Sequence, residues 1–184
     1  MHRGYTAERY LQKLAAAREA MPDLAVTTDL IVGFPGETEE DFEATLEVVA
    51  RAQYDSAFTF VFSPREGTEA ALMTDHFVPA EVCAERMSRL RVVVERSALA
   101  RNLSHVGRVE EVLVEGPSKR DPSVLTGRSA YNKLVHFASP QPIKVGSYAE
   151  VRVTSAATHH LLGELLGVTV SARHRTRIPV VAGS

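Results

Sequence analysis

The 184-residue chain has one cysteine, no tryptophan and no apolar run long enough to cross a bilayer. Cys83 alone can form no internal disulfide, and it cannot by itself hold a zinc site or an iron–sulfur cluster. No charged start followed by an apolar core stands near the N-terminus, so we expect no signal peptide. These absences predict a cytoplasmic protein without a membrane partner.

Charge is distributed unevenly along the chain. Residues 1–105 carry a net charge of −6, whereas residues 106–184 carry a net charge of +4. Such a change of sign suggests two domains with different partners, and the basic domain is a candidate for binding nucleic acid. The alternative is that a net charge of +4 reflects ordinary solvated surface.

The first 105 residues alternate between helical and strand-like segments. The predicted elements are a helix over 6–21, a strand over 24–33, a helix beginning at Thr38, a strand over 57–62 and a helix over 79–104. Thr38 and Asp41 have the spacing of a capping box. Both strands are rich in apolar residues, which predicts strands buried on both faces of a parallel sheet. The alternation predicts an α/β fold.

Short β-rich segments separated by glycine and proline follow Val106. They cover residues 109–116, 133–138, 147–156 and 161–170. This spacing predicts a small β-barrel over residues 106–171. We expect residues 172–184 to form a basic, flexible tail. Its arginines Arg173, Arg175 and Arg177 are candidates for phosphate contacts.

The stretch TDLIVGFPGETEEDF, from Thr28 to Phe42, is a candidate ligand site because ligands collect at the carboxyl ends of parallel strands. Gly33 and Gly36 would let a ligand approach the backbone, and Pro35 would stiffen the turn. The acidic residues behind the turn favour ribose hydroxyls, an amine or a sulfonium over a phosphate. Asp29 lies in an apolar strand and there needs a hydrogen-bonding partner. The alternative is a plain strand-to-helix turn before a well-capped helix.

Several long segments together resemble the radical S-adenosylmethionine methylthiotransferases. They are TTDLIVGFPGETEEDFEATL, YDSAFTFVFSPREGTEAA, VPAEVCAERMSRL, GRVEEVLVEGPSKRD, LTGRSAYNKLVHF and HHLLGEL. Within that group, YDSAFTFVFSPREGT and NKLVHF are most similar to the tRNA dimethylallyladenosine methylthiotransferase (MiaB) family. The resemblance implies an α/β C-terminal portion of a radical SAM partial (β/α) barrel over residues 1–105, followed by a small all-β TRAM barrel.

The resemblance also implies an activity and its cofactors. A full-length enzyme of this kind adds a methylthio group to carbon 2 of an isopentenyl-modified adenosine next to the tRNA anticodon. Its cofactors are S-adenosylmethionine and two 4Fe–4S clusters, and its partners are tRNA, gripped by the TRAM domain, a sulfur donor and an electron donor. This chain has no CxxxCxxC and no further cysteines, so the cluster ligands are absent from it.

Three explanations of that absence stay open. The first is that the chain is a recombinant fragment, the second is that its gene is truncated, and the third is that its start codon has been placed too late. We expect it to be inactive alone, and the alternative function is a non-catalytic RNA-binding module acting through its TRAM domain. A third possibility is an unstable fragment with bare sheet edges, which invite association. We expect Cys83 to act as a small apolar residue in a packed helix.

Candidate site residues are carried over one by one from the resemblance. Those expected near the cofactor are Asp29, Gly33, Pro35, Gly36, Glu37 and Arg65. Ser63 and Arg65 could reach the cofactor carboxylate or an RNA phosphate, whereas the alternative for Arg65 is an ion pair with Glu66 or Glu69. The RNA-binding candidates are Lys119, Arg120, Arg128, Tyr131, Asn132, Lys133 and His136. The adjacent His159 and His160 are predicted to form a turn rather than a metal site.

Overall fold

The computed structural model describes residues 4–172. The chain divides into two compact units, Met1–His105 with Ala156–His159, and Val106–Ser155 with His160–Ser184. No helix within the described residues is both long and apolar enough to cross a membrane. The candidate arginines at 173, 175 and 177 lie outside the described residues.

The first unit is an α/β arrangement built around two parallel strands. Its elements are helix α1 (Ala7–Ala20), strand β1 (Thr27–Val32), helix α2 (Glu39–Ala52), strand β2 (Ser56–Val61), the short helix α3 (Glu69–Leu72), a 3-10 turn (Thr74–His76) and helix α4 (Ala80–Leu103). The strands pair from Thr27↔Ser56 to Val32↔Val61. The predicted elements lie within three residues of these bounds, which confirms the α/β prediction.

The helices cover one face of the two-stranded sheet. Val32, Phe42, Val49 and Leu90 are fully or almost fully buried in the core that β1 forms with α2 and α4. Thr38 caps α2 in a complete capping box with Asp41, which confirms that prediction. Burial of this apolar face is what holds the helices on the sheet.

The opposite face of the sheet is exposed, so the prediction of strands buried on both faces is wrong for the described residues. Side chains along both strands alternate in exposure, and Ile31, Phe58 and Phe60 are 39%, 68% and 50% exposed. Asp29 pairs in register with Phe58 and is also exposed, so it does not need the buried partner that we expected. The physical reason is that an apolar strand is buried on both faces only if both are covered.

The second unit is a closed five-stranded barrel, as predicted. Its strands are β3 (Val109–Pro117), β4 (Val124–Ser129), β5 (Leu134–Ala138), β6 (Tyr148–Ala156) and β7 (Leu161–Val170), in the order β3-β4-β5-β7-β6. Val112, Val135, Phe137, Val151 and Leu161 fill its interior. The sequence prediction contained four of these strands and missed β4, because VLTGRS has neither an apolar run nor a regular alternation.

Candidate functional site

The turn after β1 has two glycines with left-handed backbone. Gly33 has φ of +76° and Gly36 has φ of +80°, a region that side chains disfavour. The Glu37 amide donates to the Phe34 carbonyl at 2.9 Å, and the Gly36 amide donates to the His76 carbonyl at 2.8 Å. The sequence GFPGE therefore forms a tight, internally bonded connection between β1 and α2.

Glu37 and Arg86 stabilise this turn through hydrogen bonds within the first unit. The Gly33 amide donates to Glu37 Oε2 at 2.8 Å, and Arg86 Nη1 donates to the same oxygen at 2.8 Å. Arg86 Nη1 also donates to the Glu37 carbonyl at 3.2 Å. The two side chains are only 5% and 10% exposed, which makes this a buried, hydrogen-bonded ion pair. Glu37 was expected near a cofactor; the structure gives its carboxylate a role in holding the turn, and cofactor contact stays a prediction.

A more exposed network of charges continues along α2 and α4. Arg86 also pairs with Glu39 at 3.2 Å, and Arg89 pairs with Glu39 and Glu43. A hydrogen bond from Arg89 is the main cause that lowers the pKa of Glu39. Both guanidinium groups lie over the ring of Phe42, at 5.5 and 4.9 Å from its centroid. Sequence analysis missed Arg86, because no local pattern links it to a partner 49 residues away.

Gly33 also makes room for Cys83 on α4. A Cβ at position 33 would lie closer to Cys83 Sγ than real Cβ atoms come to a neighbour, whereas a Cβ at Gly36 would meet nothing within 4 Å. Cys83 is buried, and burial is the main cause that raises the pKa of its thiol. These contacts confirm the prediction of a packed cysteine. A ligand therefore has space beside Gly36, whereas Cys83 occupies the space beside the α-carbon of Gly33.

The remaining cofactor candidates differ in their exposure. Asp29 is exposed on the open sheet face, Pro35 is buried in the turn, and Arg65 is exposed after β2. Within residues 4–172, Arg65 forms no ion pair, so the alternative pairing with Glu66 or Glu69 is not observed. No group of three metal-ligating side chains occurs among the described residues, so a cluster does not fit this chain alone. The cofactor contacts of these residues stay predictions.

The RNA-binding candidates are spread along β4, its two flanking connections and β5. Lys119 and Arg120 are exposed in the connection before β4, whereas Tyr131 and Asn132 lie in the hairpin after it. A six-residue strand separates the two ends by roughly 17–20 Å. The structure therefore does not bring together the single cluster that we expected.

The β4–β5 hairpin is held by its own hydrogen bonds. Asn132 has φ of +57°, a conformation that asparagine tolerates, and the Ser129 amide donates to the Lys133 carbonyl at 3.0 Å. Arg128 forms an ion pair with Glu115 at 3.5 Å and donates to the Asn132 carbonyl. Lys133 is only 7% exposed, so it presents little of its side chain to solvent. Contact of these residues with RNA stays a prediction.

His136 lies on β5 beside a second imidazole. Its Nδ1 is 3.0 Å from Thr126 Oγ1 on β4, and its ring packs edge-on against His160 with centroids 5.1 Å apart. Burial, followed by the charge of His160, lowers the pKa of His136. His159 and His160 lie in the turn between β6 and β7, which confirms the predicted turn.

Comparison with known proteins agrees with both units. Residues 103–166 match the TRAM domain, and residues 1–49 match the radical SAM superfamily. The chain is 52% identical to a tRNA-2-methylthio-N(6)-dimethylallyladenosine synthase of Moorella thermoacetica, over 90% of the chain and 37% of the relative. It is 47% identical to the protein of that name in Geobacillus kaustophilus, over 97% of the chain and 33% of the relative.

The chain thus spans about a third of the length of the curated relatives that it matches. Its match runs through the turn after β1, the long helix α4 and the barrel without being confined to one domain. In sequence, the chain is similar to the matching third of these tRNA-2-methylthio-N(6)-dimethylallyladenosine synthases, and it contains a TRAM domain match and a partial radical SAM match.

Proposed function

We propose that the chain is the C-terminal part of a tRNA methylthiotransferase. The complete enzyme would add a methylthio group to carbon 2 of an isopentenyl-modified adenosine next to the anticodon. The observation that carries the proposal is the 52% identity to the tRNA-2-methylthio-N(6)-dimethylallyladenosine synthase of Moorella thermoacetica, over 90% of the chain. A TRAM match on a closed barrel supports binding of tRNA by this part of the enzyme.

The first unit would form part of the cofactor site of such an enzyme. The exposed β1–β2 face and the open side of Gly36 would form part of the wall around S-adenosylmethionine, which together with a 4Fe–4S cluster supplies the radical chemistry. The buried Arg86–Glu37 pair would keep that wall in one conformation. The cluster ligands would come from outside this chain, because its one cysteine is buried in α4. The sulfur donor and the electron donor would be further partners of the complete enzyme.

Nucleoside analysis tests the enzymatic proposal. Deleting the gene should remove the 2-methylthio group from tRNA and leave the isopentenyl group, as measured by mass spectrometry of digested tRNA. Restoring a reading frame that is extended upstream to include a CxxxCxxC should restore the group, whereas the 184-residue chain alone should not. An unchanged 2-methylthio content after deletion would overturn the proposal.

A non-catalytic RNA-binding module is the second candidate, and the single cysteine favours it for the chain as it stands. Reading the DNA upstream of the codon for Met1 separates the two candidates. An in-frame CxxxCxxC preceded by further cysteines would support the enzyme. A stop codon close upstream would make RNA binding the function, measured as tRNA affinity that falls with increasing salt.

A further inference from the structure

A groove in the first unit is lined by arginines and contains no carboxylate. It measures about 480 Å³ and runs between the end of α2 and the second half of α4. Its polar lining consists of Gln53, Arg96, Ser97, Arg101 and Ser104, and its remaining residues are apolar. A groove that gathers positive charge without any acidic side chain is suited to an anion.

Arg96 and Arg101, the two arginines of the groove, have guanidinium N–H donors that are not used in hydrogen bonds to the described residues. Among the described residues, the Arg101 guanidinium makes one hydrogen bond, from Nε to the Gln53 carbonyl at 3.1 Å. This bond orients its guanidinium and leaves the terminal NH₂ groups available. The side chain of Arg96 is exposed and makes no hydrogen bond or ion pair within residues 4–172. Free guanidinium donors of this kind match the oxygens of a phosphate.

A third arginine reinforces the positive charge at the same end of α2. Arg18 donates to the Ala52 carbonyl at 2.6 Å and to the Gln53 carbonyl at 2.9 Å. Burial, and then the positive charge of Arg101, lowers the pKa of Arg18. Arg18 and Arg101 therefore offset the negative C-terminal end of the α2 dipole, which would otherwise repel an anion.

A second groove lies next to the first and shares Ala50 and Val93 with it. Its lining includes four carboxylates of α2, those of Glu39, Glu40, Glu43 and Glu47. Three of them are already paired, Glu39 and Glu43 with arginines of α4 and Glu47 with Arg51. Arg96 and Arg101, in contrast, form no ion pair within residues 4–172, so their positive charge remains available to an anion.

We propose that the groove around Gln53, Arg96 and Arg101 binds the phosphate backbone of RNA. This inference rests on the proposed function, because it extends the tRNA contact of the chain from the barrel to the helical face of the radical SAM portion. Its partner is a phosphodiester backbone rather than a base, since the groove offers charge and hydroxyl groups but no aromatic ring.

Arg96→Gln tests the proposal in the full 184-residue chain. We expect it to weaken tRNA binding by roughly threefold or more at about 100 mM salt and to lower the slope of log affinity against log salt by about one. Arg91→Gln is the matched control, because Arg91 is an exposed arginine on the same helix that does not line the groove. Circular dichroism should show unchanged helix content in both variants.

The outcomes separate this inference from the proposed function. Selective weakening by Arg96→Gln, and stronger weakening by Arg96→Glu, would support the groove. If both glutamine variants change binding equally or not at all while Lys119→Gln/Arg120→Gln weakens it, the groove proposal falls and binding through the barrel stands. If the unmodified chain binds no tRNA at any salt concentration, tRNA binding by this chain and the groove proposal are both overturned.

Discussion

Glu37 illustrates how a single buried side chain can fix the turn between β1 and α2. Its carboxylate accepts hydrogen bonds from the Gly33 amide and from Arg86. We expect Arg86→Met to leave the Glu37 carboxylate buried without its partner and to lower the free energy of unfolding by about 3–5 kcal/mol. Urea denaturation followed by circular dichroism measures this loss.

Arg89→Gln provides the comparison, because Arg89 joins the same network from a more exposed position. Solvent screens exposed pairs, so this variant should cost far less than Arg86→Met. The double variant Arg86→Met/Glu37→Gln should recover part of the loss. Equal destabilisation by the two single arginine variants would contradict the buried-pair explanation.

Gly33 and Gly36 are required for different physical reasons, although both have left-handed backbone. Gly36→Ala should cost only the backbone strain, about 1–2 kcal/mol. Gly33→Ala should cost more, because its new methyl group would also collide with Cys83 Sγ. Cys83→Ala should recover the excess in a double-mutant cycle measured by urea denaturation. Equal costs for the two glycine variants would argue against the contact with Cys83.

His136 should make the stability of the barrel depend on pH. Its pKa is lowered in the folded state, so below about pH 6.5 the unfolded chain binds the proton more readily than the folded chain. Stability is therefore lost as pH falls through this range. Thermal melts between pH 7.5 and 5.5 should show this loss, and His136→Gln should reduce it.

Local patterns predicted some of these residues and could not predict others. The capping box of Thr38 and Asp41 could be recognised because it depends on residues three positions apart. The burial of Arg86 and Lys133 depends on distant parts of the chain, and both residue types are normally exposed. The position of Lys119 and Arg120 relative to Tyr131 required β4, which the pattern did not show.

At the scale of elements, β1 and β2 show why an apolar strand is an ambiguous signal. Their residues were correctly assigned as strands, because β-branched and aromatic side chains favour extended backbone. Whether both faces are buried depends on what packs on the sheet, which the strand sequence does not contain. Helices cover one face, and Ile31, Phe58 and Phe60 remain exposed on the other.

This open face should make the chain associate at high concentration. We expect Phe58→Thr/Phe60→Thr to shift sedimentation toward the monomer, because it removes two adjacent exposed rings while keeping β propensity. Leu72→Ser on α3 is the control, since Leu72 is also highly exposed but lies outside the sheet. Equal effects of the two variants, or a chain that is monomeric without any substitution, would contradict association through this face.

For the whole molecule, the comparisons and the fold agree on two units, a TRAM barrel and part of a radical SAM domain. The sequence predicts both architectures because the barrel strands and the strand–turn–helix of the first unit are local patterns. The relatives are about three times longer than the part that matches. Whether this chain alone can hold an iron–sulfur cluster is a direct experimental question.

We expect the 184-residue chain to hold no 4Fe–4S cluster after anaerobic reconstitution with iron and sulfide. Such a cluster is typically held by several thiolates, whereas the chain supplies one thiol, and burial raises its pKa so that it resists becoming a thiolate. The Cys83 sulfur also packs beside Gly33 and lies 3.7 Å from the Val78 carbonyl, so it cannot reach a cluster without opening the core. Iron and sulfide analysis with absorption spectroscopy should give no stoichiometric cluster, and Cys83→Ala should give the same result. Stoichiometric iron with a cluster absorption band that Cys83→Ala abolishes would show that this cysteine is a ligand and that α4 rearranges to expose it.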